Sequence, residues 1–131
     1  MFAIVHGIDL TSISKFEKMI LNEGYVNRCF TTAEQKQCAN RADRYAARFA
    51  AKEAVLKALS LGIIDGLSLT DVEVVFDSEG APGIKLSGMV ADRAATLGLT
   101  SWHLTFAHSG AQAVASVIGL VTPPDVTSPR L

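Results

Sequence analysis

The stretch RYAARFAAKEAVLKAL, residues 44–59, constrains the fold more than any other part of the chain. Alanine and leucine are strong helix formers, and no glycine or proline interrupts the run. The pattern predicts one long helix from about Arg41 to Leu59, with Leu61-Gly62 as its stop. At about 100° per residue, Arg44, Arg48 and Lys52 form one ridge, and Glu53 and Lys57 lie on another beside Phe49 and Leu56. Little of the circumference is free of apolar side chains, so the helix is expected to be mostly buried. Its alanines make a thin face that neighbouring chain can approach closely.

A chain of 131 residues with 49% apolar and 19% charged side chains suits one well-buried domain. The net charge of −1 provides no global basic field, which argues against a nucleic-acid partner; any polyanion must be held by local clusters. No apolar run approaches the roughly 20 residues needed to span a bilayer. The opening MFAIVHGIDL lacks a basic start and a long apolar stretch, so it does not read as a signal peptide. No membrane partner is expected, and a cytoplasmic protein is. Cys29 and Cys38 have no Cys-x-x-Cys spacing or histidine cluster around them and read as reduced, partly buried thiols.

Before the long helix, Phe2–Val5 reads as a short strand ending at His6-Gly7. Ser14 and Glu17 fit a capping box ahead of a helix to about Leu21, which Asn22–Gly24 breaks. Thr31 or Thr32 opens a second helix, with Glu34 and Gln35 as capping partners. After Gly62 the pattern turns to strands: residues 67–76, a turn at 77–83, and a return over 84–86. Met89–Leu97 is expected to be helical, while Trp102–Phe106 and Ala113–Leu120 form a hairpin through His108-Ser109-Gly110. The Pro-rich residues 121–131 read as a flexible tail behind a domain of residues 1–120. Helices mostly in the first half and strands mostly in the second predict an α+β domain.

Four groups of residues can carry chemistry. Asp9 follows the first strand beside a glycine; taken alone it reads as a turn or capping aspartate before it reads as a ligand. Glu53 is balanced between a salt bridge to Lys57, four residues on, and a ligand for something charged, because a buried lone carboxylate is costly unless paired or metal-bound. Arg44, Arg48, Lys52 and Lys57 either meet phosphates or form a solvated face. In HLTFAHS, residues 103–109, His103 and Thr105 share one strand face and Leu104 and Phe106 the other. Neither a Walker sequence nor GxGxxG occurs. Asp9 with Glu53 would suit Mg2+, which keeps waters and completes its shell with phosphate oxygens.

In order along the chain stand GID (7–9), FTxxE (30–34), RxxARFAAKEAxxKAL (44–59), LSLTDVEV (67–74), SEGAP (78–82) and HLTFAHS (103–109). This series resembles the holo-acyl-carrier-protein synthases, the small bacterial 4′-phosphopantetheinyl transferases, over about residues 1–120. The resemblance implies transfer of phosphopantetheine from coenzyme A to a serine of an acyl carrier protein, with release of 3′,5′-ADP, in fatty acid or polyketide synthesis. It also implies a long central helix on a small, mostly antiparallel sheet, and a homotrimer with active sites between subunits. Asp9 and Glu53 match the metal-binding carboxylates, for Mg2+ with Mn2+ as alternative, and Lys57 matches a lysine on the pyrophosphate. Glu53 and Lys57 are thereby the expected catalytic pair. Arg44, Arg48, Lys52, Gly62, His103 and Thr105 are the further coenzyme A positions, the last two on the strand that reaches an adjacent subunit. Lys15, Lys18 and Arg28 are the expected carrier-protein contacts.

The chain departs from the family pattern at Ser60-Leu61-Gly62, where Gly-Thr-Gly is usual, and at HLTFAH, where HxSxSH is. Few basic residues line its first helix, which implies a less acidic carrier or a weaker encounter. Two other readings stand beside the transferase: a coenzyme A-binding module of the same fold without turnover, and a nucleic-acid-binding helix built on Arg41, Arg44, Arg48 and Lys52.

Overall fold

The alanine-rich run forms a single helix, Ala42–Ala58, ending within a residue of its predicted stop. The computed structural model describes residues 4–62 and 66–121. In chain order the elements are β1 (Ile4–Ser12), α1 (Ile13–Met19), α2 (Glu23–Cys29), α3 (Thr32–Cys38), α4 (Ala42–Ala58), a 3-10 turn at Leu69–Asp71, β2 (Val72–Phe76), β3 (Pro82–Leu86), α5 (Gly88–Thr96), β4 (Ser101–Ser109) and β5 (Gln112–Leu120). β1, β5 and β4 make an antiparallel sheet in that order, and β2 pairs with β3 in a separate hairpin. The expected α+β architecture, a central helix on small antiparallel sheets, is the one observed.

The helix ends in a Schellman motif: the Leu61 amide donates to the Leu56 carbonyl at 2.8 Å and the Ser60 amide to Lys57 at 3.1 Å. This puts Ser60 in the left-handed region, at φ 55°. Glycine adopts that conformation without strain, and serine meets it here at some cost.

Ala46, Ala50, Ala51 and Ala54 of α4 are buried, and the sheet lies against them. Closest is β1: a Cβ on Gly7 would stand 1.8 Å from the Ala54 carbonyl oxygen. Only glycine on the strand allows this approach to the helix backbone. One core cluster runs along the C-terminal half of α4 and includes Val55, Leu59, Val72, Val90 and Val117. A second gathers Phe16, Phe30 and Tyr45 in edge-on ring contacts under α1–α3.

Lys52 departs most from expectation. It is not on a solvent-facing ridge with Arg44; both it and Glu34 are 0% exposed and their side chains meet at 2.7 Å. The ammonium also donates to the Leu69 carbonyl at 3.0 Å and to Val72 O. Glu34 closes the α3 capping box with Thr31 and takes the Val74 amide at 2.9 Å. Lys52 is therefore a tie between α3, α4 and β2, and its expected contact with coenzyme A is corrected: no face of it is left for a ligand.

Other boundaries also shift. β1 continues through Asp9 because it pairs with β5 along its whole length, so Asp9 sits within the strand rather than beyond it. Ser14 does not cap α1; Ser12 occupies the cap position, and the Ile13 amide is taken by the Ala111 carbonyl at 2.9 Å. Asn22, expected as a breaker, caps α2 by accepting the Tyr25 amide. Residues 67–71 form no strand: Ser68 accepts the Thr70 amide and starts the 3-10 turn. Both cysteines are free, as expected, and they are buried rather than partly buried. The tail expectation falls outside the described residues from 122 onward.

Gly7→Ala tests the crossing. It is expected to destabilise the domain by ~3 kcal/mol or more, read by urea denaturation, because backbone rather than a flexible side chain blocks the methyl.

Candidate active site

The β1–α4 crossing brings carboxylates and an ammonium together. Asp9 lies on the helix-facing side of β1, two residues past Gly7. Lys57 donates to Asp9 Oδ1 at 2.7 Å and to the Ile8 carbonyl at 3.2 Å. Asp9 Oδ2 accepts the Thr11 hydroxyl at 3.0 Å. The carboxylate side chain is 15% exposed, while that of Lys57 is 57% exposed. Lys57 thus pairs with Asp9 across the chain and not with Glu53 on its own helix.

Glu53 is half-buried and, among the described residues, has no hydrogen bond or ion pair. Burial pushes its carboxyl above the usual range, and the Asp9 carboxylate pushes the same way against Lys57 and Lys15. Lys15 lies over the Phe49 ring at 5.1 Å. Tyr25 and Cys29 also stand within electrostatic reach of Glu53, and burial raises both of their pKa values.

An unpaired, half-buried carboxylate beside a second carboxylate is the chemistry of a cation site. Among the described residues no three His, Cys, Asp or Glu side chains converge. A hard divalent ion placed here would find two oxygen donors, its other positions being left to water and ligand. That set fits Mg2+ or Mn2+ and lacks the nitrogen and sulfur ligands typical of zinc.

A second region lies around the N-terminal half of α4. A cavity of about 560 Å³ is lined by Arg41, Arg44, Arg48, Phe76, Phe106 and His108, among others. Arg48 is buried over the Phe76 ring at 5.1 Å. Its guanidinium donates to the Arg44 carbonyl and the Gln37 side chain, and its Nε has no partner among the described residues. The buried Arg48 donors, the exposed guanidiniums of Arg41 and Arg44 and the Phe76 and Phe106 rings suit a phosphate-bearing, aromatic ligand.

The two regions do not face each other within one chain. Glu53 lies five residues beyond Arg48, about 140° around the helix. His103 and Thr105 point to the outer face of the sheet, away from the cavity. Gly62 is exposed just beyond α4. Lys18 and Arg28 line a smaller cavity of about 270 Å³ with Met19, Asn22 and Tyr25. From the sequence Arg41 was read only as part of a nucleic-acid-binding helix and His108 only as part of a turn, although strand alternation puts His108 on the Phe106 face and so marked it.

Around a close strand–helix crossing, then, this α+β domain carries two neighbouring carboxylates with a lysine, and a separate arginine-lined cavity. Residues 6–116 match the family profile described as 4′-phosphopantetheinyl transferase superfamily, and the chain belongs to that family. It is 44% identical over 117 residues to a holo-[acyl-carrier-protein] synthase of Trichlorobacter lovleyi, covering 86% of this chain and 93% of that protein. The corresponding synthase of Geobacter sulfurreducens is 43% identical over 118 residues, with the same two coverages. Among solved structures, the Helicobacter pylori holo-[acyl-carrier-protein] synthase in complex with coenzyme A superposes with TM-score 0.77 at 29% identity, covering 87% of this chain and 98% of that one. The Mycobacterium tuberculosis acyl carrier protein synthase gives TM-score 0.72 at 35% identity, covering 92% and 100%.

Glu53→Gln separates site from scaffold. Its folded pKa is raised, so the ionised carboxylate costs stability above that pKa, and the cost vanishes once pH falls below the ordinary value of 4.5. The variant should melt higher than wild type at pH 7, with the gain disappearing near pH 4; equal melting at both would show that Glu53 is compensated.

Proposed function

We propose that the chain is a phosphopantetheinyl transferase: it moves 4′-phosphopantetheine from coenzyme A to a serine of an apo acyl carrier protein and releases 3′,5′-ADP. Holo carrier protein for fatty acid or polyketide synthesis is the product, and the cytoplasm is the place of action. Residues 1–120 form the transferase domain. The observation that carries this reading is the Asp9–Lys57 pair beside the unpartnered Glu53, in a chain that is 44% identical to a holo-[acyl-carrier-protein] synthase.

Asp9 and Glu53 would hold Mg2+, with Mn2+ as alternative. When bound, such an ion neutralises pyrophosphate charge and makes the phosphorus more electrophilic. Lys57, exposed and flexible, turns from Asp9 to the phosphoryl oxygens and stabilises the charge that builds there. Glu53, half-buried beside Asp9, would take the proton from the serine hydroxyl, directly or through water. The serine oxygen then bonds to the β-phosphorus as the bond to the 3′,5′-ADP oxygen breaks. Positioning supplies much of the remaining acceleration.

Arg44 and Arg48, joined by Arg41 and His108, would take the nucleotide end. Their separation from Glu53 around α4 supports a site shared between subunits, with the crossing from one chain and the arginine cavity from its neighbour. The outer sheet face supports a homotrimer: Ile4, Ile8 and Leu10 are 65%, 56% and 60% exposed there, an apolar surface that a second copy would cover. His103 and Thr105 stand on the β4 border of that face, and Gly62 at the exit of α4. Lys15, Lys18 and Arg28 would meet the carrier protein. No described helix is long and apolar enough to cross a membrane.

Incubated with Mg2+, coenzyme A and a panel of apo carrier proteins, the protein should raise carrier mass by one phosphopantetheine; no gain with any carrier would sink the transferase and leave a coenzyme A-binding module. Glu53→Gln should lose roughly 10²–10⁴-fold in rate. Light scattering should find a trimer that Ile8→Glu converts to monomer, and a monomeric wild type would remove the shared site.

A further inference from the structure

We infer that Thr11 is a positioning residue for the reaction: its hydroxyl holds the Asp9 carboxylate in the orientation that accepts the divalent cation. This rests on the transferase reading, in which Asp9 is a metal ligand.

Asp9 is gripped at both oxygens by partners of different character. Lys57 Nζ meets Oδ1 at 2.7 Å, and Thr11 Oγ1 donates to Oδ2 at 3.0 Å. The lysine is a charged, exposed partner with a second task, because the mechanism calls it to the phosphate. Thr11 is fixed. It is 8% exposed, stands on the same face of β1 as Asp9, and is held in register opposite Ala113 of β5.

The chemistry of the two partners decides their roles. An ammonium on a carboxylate competes with a divalent cation for the same negative charge. A hydroxyl gives one proton to one lone pair and carries no charge, so it orients the group without repelling the ion. Its branched side chain has few rotamers, and its strand is clamped between β5 and α4, so the donor stays in place when Lys57 leaves. Without the hydroxyl, Lys57 would be the main partner of Asp9, and the carboxylate would be free to rotate onto the ammonium. Any cation would then displace lysine from both oxygens instead of meeting a prepared one. Partners of this kind, one step out from the metal, commonly change metal affinity or activity by roughly 10- to 100-fold.

Three full-length variants test the inference, with Mn2+ binding followed by electron paramagnetic resonance and the Mg2+ dependence of transfer measured beside it. Thr11→Val keeps shape and burial but deletes the donor. It should weaken Mn2+ binding and raise the Mg2+ requirement roughly 10- to 100-fold while the melting temperature stays near wild type. Thr11→Ser keeps the hydroxyl and should restore both. Unchanged Mn2+ affinity in Thr11→Val, or a Thr11→Ser variant as impaired as Thr11→Val, would overturn the positioning role. Asp9→Asn separates this from the reading beneath it: loss of Mn2+ binding there shows that Asp9 is the ligand whatever Thr11 does. Binding as in wild type would bring down the metal site and the role of Thr11 together.

Discussion

The crossing of β1 over α4 is the constraint on which the rest depends. Gly7 and Ala54 let backbone meet backbone, and no side chain separates strand from helix at that point. Asp9 and Lys57 come from opposite ends of the described chain's first half, and this approach brings them to 2.7 Å. A larger residue at position 7 would lift the strand and carry Asp9 away from Glu53. The small residues that look like bland helix filler thus set the length scale of the chemistry.

The cations of α4 show how little spacing says about role. Arg44, Arg48, Lys52 and Lys57 are similar in sequence and different in environment. Lys52 is consumed in a buried pair with Glu34, where burial pulls its pKa down and the carboxylate resists. Removing one partner of such a pair leaves the other charge stranded, which is why buried pairs resist piecemeal change. Arg48 is buried too, but against a cavity, with one donor unused among the described residues. Lys57 stays exposed and exchangeable. The amount of chain above each residue separates tie, pocket wall and exchangeable partner.

That distinction also measures how far the sequence could be read. The α4 run, the α3 capping box, the β4–β5 hairpin and the α+β class were legible because local periodicity and local hydrogen bonds determine them. The fate of Lys52 was not legible, since Glu34 lies 18 residues away and only tertiary packing joins them. Lys57 misled for a related reason: its i−4 neighbour Glu53 is a plausible helix partner, but Asp9, 48 residues distant, is the one that fits. The extent of β1 was hidden by Gly7, which resembles a strand end until β5 pairs with residues on both sides of it. Asp9 and Glu53 themselves were reached by residue type and by family resemblance, not by any local rule.

The two thiols add a practical property. Cys38 is fully covered and its pKa is pushed up to about 11 by burial, while burial raises that of Cys29 as well. Neither presents a thiolate to solvent at neutral pH, so alkylating reagents should be excluded from the native fold. Both cysteines lie in the cluster under α1–α3, beside the helices proposed to meet the carrier. Their rate of alkylation would then act as a clock for the opening of that half of the domain, and a cysteine added to the surface would label alone.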